Sequence, residues 1–239
     1  MKTHQKVMSW IVDYGYMVRG ALTGLVYFHP PQHYLGHRTE GKFPVVIIPG
    51  IFGRWSFMKP IGDSISLLGH PVYIVPKLGY NLFSIPLSAE IVEKVISTIS
   101  HKEGEKGIIL VAHSKGGLIG KYFLAHHNQN KKVIGMVSIA TPYSGSSMAK
   151  LFPSITPFKE LDIESNVLRD LERHSIVNQN IISLFPEYDN HVWAKQGSFL
   201  EGAINRAVPV HGHHRVVFDT QMKEEVLQGL EFFMKKVKV

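Results

Sequence analysis

The sequence contains no cysteine among its 239 residues. This absence excludes disulfide bonds, cysteine metal ligands and a cysteine nucleophile. It does not identify the compartment, because a cysteine-free chain tolerates either redox state. Low-complexity tracts and internal repeats are also absent. With 44% hydrophobic and 19% charged residues, the composition is typical of a soluble globular protein with one well-buried core.

Acidic residues are scarce relative to basic ones. The 26 lysines and arginines exceed the 19 aspartates and glutamates, which gives a net charge of +7. Such an excess favours an anionic partner, either a polyanion or anionic lipid, or it forms an ordinary solvated surface. Part of it lies in the C-terminal segment "FFMKKVKV", where cations suit the helix dipole. No basic stripe with interleaved aromatic residues is present, so nucleic-acid binding is not expected.

No uninterrupted apolar run has the length of a membrane span, because Asp13 and Arg19 interrupt the apolar stretch 7–28. Asp13 and the lack of a small-x-small cleavage site also disfavour a signal peptide. We expect residues 1–40 to form an amphipathic helical segment that packs on the domain. The alternatives are peripheral membrane contact through residues 7–28 and a cleaved or spanning segment. The expected location is the cytoplasm, with membrane association or secretion as the alternatives.

Strand-like and helix-like segments alternate along most of the chain. Short β-branched runs such as "FPVVIIPG" (43–50) predict buried strands, and amphipathic runs such as "LSAEIVEKVISTIS" (87–100) predict helices. The alternation predicts an α/β fold with a mostly parallel central sheet and helices on both faces. This domain would span residues 41–239. Residues 144–176 break the rhythm and predict a small helical cap, or one more crossover helix with a long loop.

A serine stands between a predicted strand and a predicted helix in "ILVAHSKGGLIG". A sharp turn there exposes the Ser114 hydroxyl and directs the amide of Lys115 into the site. Such a turn needs small neighbours, and Ala112 and Gly116 are small. The alanine departs from the usual G-x-S-x-G pattern. A phosphate-binding turn is the rival, but it needs more glycines or the spacing G-x-x-x-x-G-K-[ST]. The segment therefore predicts a nucleophilic serine.

A serine nucleophile needs a base and an acid, which follow it along the chain in the order acid, histidine. In "VPVHGHHRVVFD" the predicted base is His213, with His211 and His214 as rivals. In "SLFPEYDNHVW" the predicted acid is Asp189, with Glu187 as its rival. The three histidines also resemble a metal cluster, but no carboxylate stands beside them at ligand spacing, so no metal is expected.

The second oxyanion donor should come from the loop "IPGIFGRW", where flanking glycines allow a sharp turn. The amide of Ile51 is the best candidate, with Phe52 next, and the amide of Lys115 would be its partner. The apolar cap would cover the site. Substrate contacts are expected from Phe52, His113, Met148, Leu151 and Phe152.

Several of these segments resemble the α/β-hydrolase superfamily, and more narrowly its bacterial lipases and esterases. The segments that carry the resemblance are "VVIIPGIFG", "VAHSKGGL", "IATPYSG", "YDNHV" and "LEGAINRAVPVHGHH". The resemblance covers residues 43–239 and implies Ser114 as nucleophile, Asp189 as acid and His213 as base. The oxyanion loop departs from the family pattern because it begins Pro-Gly rather than His-Gly. The cap matches no pattern, so it leaves the substrate open.

The resemblance implies a serine carboxylic-ester hydrolase that forms an acyl-enzyme and uses no cofactor. Its expected partner is a small-molecule or lipid ester. The alternatives with the same catalytic residues are a thioesterase, an amidase, a perhydrolase or a C–C hydrolase. A catalytically silent lipid-binding protein with the same fold is the alternative from another class. The sequence does not predict the oligomeric state.

Overall fold

The computed structural model of the protein describes residues 3–103, 107–146, 149, 156–192 and 197–237. Within this part of the chain, six strands form one sheet, and every neighbouring pair is parallel. The predicted α/β class with a parallel central sheet is thereby confirmed. The strands are Val45–Ile48 (β1), Val72–Ile74 (β2), Ile108–His113 (β3), Val133–Ile139 (β4), Ile181–Tyr188 (β5) and Ile204–His211 (β6).

Helices cover the sheet and extend beyond it. They are Thr3–Val26 (α1), His33–Gly36 (α2), Lys59–Leu67 (α3), Ile85–Glu103 (α4), Lys115–His126 (α5), Thr156–Lys159 (α6), Asn166–Arg173 (α7) and Thr220–Val237 (α8). Short 3-10 turns lie at Trp55–Met58, Pro76–Leu78, Ser175–Asn180 and Arg215–Val217. Among the described helices, none combines the length and the apolar character that a membrane span requires.

The core consists of two apolar layers, one on each face of the sheet. Successive strand residues point to opposite faces, so Val45 and Ile47 of β1 pack under α3 and α8, whereas Val46 and Ile48 pack under α4 and α5. Because both faces of the central strands β1 and β3 are buried, these strands are buried along their whole length and largely apolar, which made them recognisable in the sequence.

The strand order β2-β1-β3-β4-β5-β6 places β1 between β2 and β3. The chain therefore leaves β1 toward one side of the sheet and leaves β3 toward the other. Where two such connections diverge at the carboxyl edge of a parallel sheet, a crevice opens that commonly holds the ligand. The loop after β1 and the turn between β3 and α5 meet at this point.

The turn between β3 and α5 is strained. Ser114 adopts φ +54° and ψ −126°, in the left-handed region that non-glycine residues rarely occupy. Its amide donates to the carbonyl of Ile139 on β4 at 2.8 Å, which holds the turn against the sheet. Helix α5 begins directly afterwards and approaches β1 so closely that a Cβ on Gly116 would lie 2.4 Å from the carbonyl oxygen of Ile48.

Helix α1 lies against the Trp55–Met58 and Arg215–Val217 turns. Its buried residues are Asp13, Gly20 and Gly24. Because Gly20 carries no side chain, the helix packs closely against the ring of Phe57. Much of the remaining surface is apolar and exposed, with the most exposed large side chains at Val7, Met8, Ile11, Val18, Leu22, Leu25 and Val26.

We expect Gly116→Ala to lower the free energy of unfolding by about 1–3 kcal/mol, because the added methyl group meets backbone that cannot move aside alone. Gly15→Ala is the matched control, since Gly15 is exposed on α1 and has nothing within 4 Å of an added Cβ. It should leave the stability unchanged or raise it by about 0.5–1 kcal/mol. Urea unfolding measures both. Equal stabilities would show that α5 can move away from β1 freely.

Candidate active site

Three loops at the carboxyl edge of the sheet bring one serine, one histidine and one carboxylate together. Ser114 follows β3, Asp189 follows β5 and His213 follows β6. The Nε2 atom of His213 lies 2.9 Å from Oγ of Ser114, and its Nδ1 atom lies 2.9 Å from Oδ2 of Asp189. All three residues are buried, and Ser114 keeps 6% of its surface exposed. The three residues predicted from the sequence therefore form one hydrogen-bonded chain.

The backbone around Asp189 orients its carboxylate. Its Oδ1 atom accepts the amides of His191 at 2.8 Å and Val192 at 2.7 Å, which leaves Oδ2 for the imidazole. The next residue, Asn190, accepts the amide of His213 through Oδ1 at 3.0 Å. Consecutive residues of the loop after β5 thus hold both the side chain and the backbone of the histidine.

The environment of His213 favours its protonated form. Burial lowers the pKa of the imidazole, but the charge of Asp189 and its hydrogen bond outweigh burial, and the charge of Asp13 adds to them, so the pKa is raised above 6.5. The neighbouring imidazoles behave differently. Burial and the charge on His213 lower the pKa of His113 well below 6.5, and burial lowers that of His191 to about 3. Of the three imidazoles at His113, His191 and His213, the one at His213 is therefore the most readily protonated.

The alternative candidates for the histidine and the acid have partners outside the chain of Ser114, His213 and Asp189. His211 lies 3.8 Å from Glu187 through its Nε2 atom, and both side chains are partly exposed. His214 donates Nδ1–H to Oδ2 of Asp13 at 2.8 Å. Each of the three histidines at the end of β6 and just after it thus lies near its own carboxylate, and the one paired with Asp189 also reaches the serine.

The loop after β1 presses against the serine. A Cβ on Gly50 would lie 3.0 Å from Cβ of Ser114, and the amide of Gly53 donates to the carbonyl of Gly50 at 3.1 Å to form a tight turn. Ile51 and Phe52 lie at this turn, and Phe52 has a positive φ of 57°. Both line the cavity above the serine. The predicted role of the Ile51 amide remains a prediction.

Lys115 is the first residue of α5, so no carbonyl of its own helix accepts its amide N–H. Its side chain points away from the serine and is buried. The ammonium donates to the carbonyl oxygens of Asn81, at 3.0 Å, and Phe83. Burial lowers the pKa of Lys115 to about 8. The side chain thus ties the loop before α4 to the serine turn, while the predicted oxyanion role concerns the amide alone.

A cavity of about 720 Å³ opens above Ser114 and His213. Helix α1, the loop after β1 and the region of α6 form its walls. Most of the wall is apolar, including Met17, Val18, Leu22, Leu25, Ile51, Phe52, Phe57, Phe158 and Leu161. Two of the predicted substrate contacts, Phe52 and His113, line the cavity. The other three, Met148, Leu151 and Phe152, lie outside the described residues.

Sequence reasoning did not assign Asp13, Tyr14 or His191 to the site. Tyr14 and His191 line the cavity, and their side chains lie 3.4 Å apart. Asp13 is fully buried beside His214. The isolated carboxylate in an otherwise apolar segment was a signal for it, because such a group is tolerated in a buried position only when hydrogen-bond partners surround it. The sequence could not identify those partners, which stand about 200 residues away.

Two groups among the described residues have donor atoms close enough for a metal ion. They are Asp13, His191 and His214, and His126, Asp170 and His174. In the first group, N–H donors already occupy both oxygens of Asp13. In the second, Oδ2 of Asp170 lies 2.6 Å from Nε2 of His126. Hydrogen bonds account for both carboxylates, and the expectation of no metal stays a prediction.

Solved structures share this sheet and its arrangement of helices. The mature lipase of Bacillus licheniformis aligns with a TM-score of 0.66 and 17% identity over 82% of this chain and 94% of its own. Lipase B of Aspergillus fumigatus gives 0.69 and 18% over 85% and 55%. A carboxylesterase of Nitrososphaera gargenis gives 0.59 and 15% over 84% and 93%. These likenesses show that the protein has the α/β-hydrolase fold, which confirms the predicted fold.

The sequence also matches a family profile. The profile of the lecithin:cholesterol acyltransferase family covers residues 91–224, more than half of the chain. The protein therefore belongs to the lecithin:cholesterol acyltransferase family of α/β-hydrolases. The matched segment contains Ser114, Asp189 and His213, whereas α1 precedes it. A comparison with curated protein sequences gives no match.

We expect the imidazole of His213 to titrate above pH 6.5 in the native protein. In Asp189→Asn it should titrate below 6.5, because burial then dominates. Glu187→Gln is the matched control and should leave the midpoint in place, since Glu187 faces His211. NMR titration of the imidazole protons, assigned by difference with His213→Gln, measures the midpoint. A shift in Glu187→Gln instead of Asp189→Asn would assign the acid to Glu187.

Proposed function

We propose that this protein is a serine carboxylic-ester hydrolase that acts on lipid esters through Ser114, His213 and Asp189. The observation that carries the proposal is the hydrogen-bonded chain from the serine to the carboxylate, which stands at the bottom of an apolar cavity. Family membership and the lipase-like fold support acyl chemistry on lipids. Serine, histidine and carboxylate in this geometry activate a hydroxyl that is otherwise a weak nucleophile.

The reaction proceeds in two acyl-transfer steps. His213 accepts the proton of Ser114 as Oγ attacks the ester carbonyl, and Asp189 stabilises the imidazolium that forms. The amides of Ile51 and Lys115 donate to the oxyanion of the tetrahedral intermediate, each lowering the barrier by about 3 kcal/mol. His213 then protonates the departing alcohol, which leaves an acyl-enzyme. A water molecule then gives a proton to His213 and attacks the acyl-enzyme ester. His213 returns this proton to Oγ of Ser114 as the acid is released.

The cavity favours a substrate with an apolar acyl group. Most of its wall is apolar, so it offers an acyl chain dispersion contacts along much of its length. A volume of about 720 Å³ suits a chain of lipid length. Helix α1 and the region of α6 both contribute to the wall of this acyl site. The ring of Phe158 on α6 lies 5.8 Å from that of Phe52 in the loop after β1.

Acyl transfer to an alcohol is the second candidate, and the family match favours it. The acyl-enzyme would be the same, and the two activities differ in whether water or an alcohol attacks it. Adding a long-chain alcohol to the assay and measuring new ester against free acid separates them. Thioester, amide and other chemistry at the same serine would appear in a substrate panel, and a silent lipid binder would show no labelling of Ser114 by a fluorophosphonate.

Peripheral membrane contact through residues 7–28 fits the surface of α1. Its outer side is apolar and exposed, and three of its exposed residues, Val18, Leu22 and Leu25, also line the cavity. The apolar surface is therefore continuous from the outside of the helix to the mouth of the cavity. The net charge of +7 favours an anionic bilayer. A lipid could thus pass from the bilayer into the cavity without crossing water.

Ser114→Ala should reduce ester hydrolysis by about 10⁴-fold or more, and Asp189→Asn by about 10⁴-fold. Both should remain folded, because neither change adds volume. The measurement is kcat/KM on p-nitrophenyl esters from acetate to palmitate. Ser175→Ala and Glu187→Gln are matched controls, since both residues are exposed outside the cavity, and they should keep native rates. Native activity in Ser114→Ala would contradict the proposal.

Met8→Gln combined with Ile11→Gln should weaken binding to phosphatidylglycerol-containing vesicles several-fold, because both side chains are more than half exposed on α1. Leu67→Gln combined with Ile176→Gln is the control. These residues are 73% and 74% exposed, but they lie on other elements, so vesicle binding should not change. Vesicle flotation measures both. Equal binding by the two double variants would place the contact elsewhere.

A further inference from the structure

Asp13 joins the N-terminal helix to the loop that carries His213. It is 0% exposed, although it belongs to a helix whose surface is largely exposed. Its Oδ1 atom accepts the backbone amides of His214 at 2.7 Å and Arg215 at 2.9 Å, and its Oδ2 atom accepts Nδ1–H of His214 at 2.8 Å. All three donors belong to the two residues that directly follow His213.

The backbone before His213 is also shaped around Asp13. Gly212 has φ +115°, and a Cβ there would lie 2.4 Å from Oδ1 of Asp13. The Arg215–Val217 turn begins where the Asp13 carboxylate accepts its first amides. The histidine loop is thus held on one side by Asp189 and Asn190, from the loop after β5, and on the other side by α1.

The Asp13 carboxylate is ionised at neutral pH. Burial by itself raises the pKa of Asp13. The hydrogen bond and charge of His214 and the amide of Arg215 together lower it by more than burial raises it, so the pKa lies well below its ordinary value. A buried charge with three N–H donors is tolerated because its lone pairs are occupied. Losing the charge would leave those donors without a matching acceptor.

We propose that Asp13 is a positioning residue that holds the imidazole of His213 in line between Ser114 and Asp189. Helix α1 is then part of the catalytic unit, even though it precedes the segment shared with the family. The inference rests on the proposed function, in which His213 is the base. Asp13 itself touches neither the substrate nor the serine; it acts through the backbone of residues 212–215.

Asp13 can affect His213 through its charge, which acts on the titration of the imidazole, and through the backbone, which sets the position of the ring. A purely structural role in anchoring α1 would involve neither. The titratable groups that face this imidazole are Asp189 at 2.9 Å and the rings of His113, His191 and His214, with ring centroids 5.0, 4.9 and 5.3 Å away. The charge of Asp13, which is hydrogen-bonded to His214, raises the pKa of His213. A residue that only anchored α1 would alter stability and leave kcat unchanged. Asp13→Glu, which keeps the charge, separates the position of the imidazole from this electrostatic effect.

Asp13→Asn is the test, since it keeps the size and one oxygen but opposes the Nδ1–H of His214 with an NH₂ group. We expect kcat and the rate of Ser114 labelling by a fluorophosphonate to fall about 10-fold to 100-fold. The KM for p-nitrophenyl butyrate should change less than twofold. Because the neutral imidazole is the base, activity is lost as pH falls through its pKa. This acidic limb of the pH–rate profile should move to lower pH in the variant, because the pKa of His213 is lower without the charge of Asp13.

Asp63→Asn is the matched control, because it removes a carboxylate paired with Lys59 at 2.6 Å on α3, away from the site. It should keep the native kcat and acidic limb. If Asp13→Asn does not fold, Asp13→Glu keeps the charge and should show a lower kcat with the acidic limb in its native place. A folded Asp13→Asn with native kcat and acidic limb would overturn the inference, as would lower stability alone.

The failure of the proposed function has a different signature. If the native protein hydrolyses no ester and Ser114 does not react with the probe, the hydrolase proposal fails. NMR of His213 still tests Asp13 in that event. A changed chemical shift and a lower midpoint in Asp13→Asn would support the positioning role, and an unchanged imidazole titration would refute it.

Discussion

The close approach of α5 to the top of the sheet is the constraint on which the rest of the site depends. Ser114 occupies a strained left-handed conformation because the helix must begin where the strand ends. Gly116 makes this possible, since any side chain there would collide with the carbonyl of Ile48. The serine therefore stands at the carboxyl edge of the sheet, and the amide of Lys115 has no carbonyl acceptor within its own helix. The loops after β1, β5 and β6 then converge on Ser114.

The histidine loop after β6 is held by carboxylates from two directions. Asp189 orients the imidazole of His213 directly, and Asp13 holds the backbone just beyond it. Between them, burial keeps His113 and His191 neutral, so these rings pack against His213 without competing for its charge. The site thus concentrates positive charge at one imidazole. Helix α1 contributes to this arrangement and also forms part of the cavity wall, so the same helix bears on the shape of the cavity and on the loop that carries His213.

Much of the fold could be predicted from local patterns. Apolar β-branched runs such as Val45–Ile48 and Ile108–His113 predicted strands because both faces of a parallel sheet are buried. The serine turn was recognisable because its steric demands act on immediate neighbours such as Gly116. Contacts between distant segments left no such signal. The acid in α1 was seen as an interruption of an apolar stretch, and its partner, His214, stands 201 positions later.

The sequence by itself determined the strands, the helices that cover them, the strained serine turn and the chain order of serine, acid and histidine. These follow from side-chain periodicity and local sterics, which act over a few residues. Only the tertiary structure decided which histidine after β6 lies between the serine and a carboxylate, and that α1 closes the site. His211 is the last residue of β6. The course of the backbone beyond it, set by amides that donate to Asn190 and Asp13, decides where the imidazole of His213 lies.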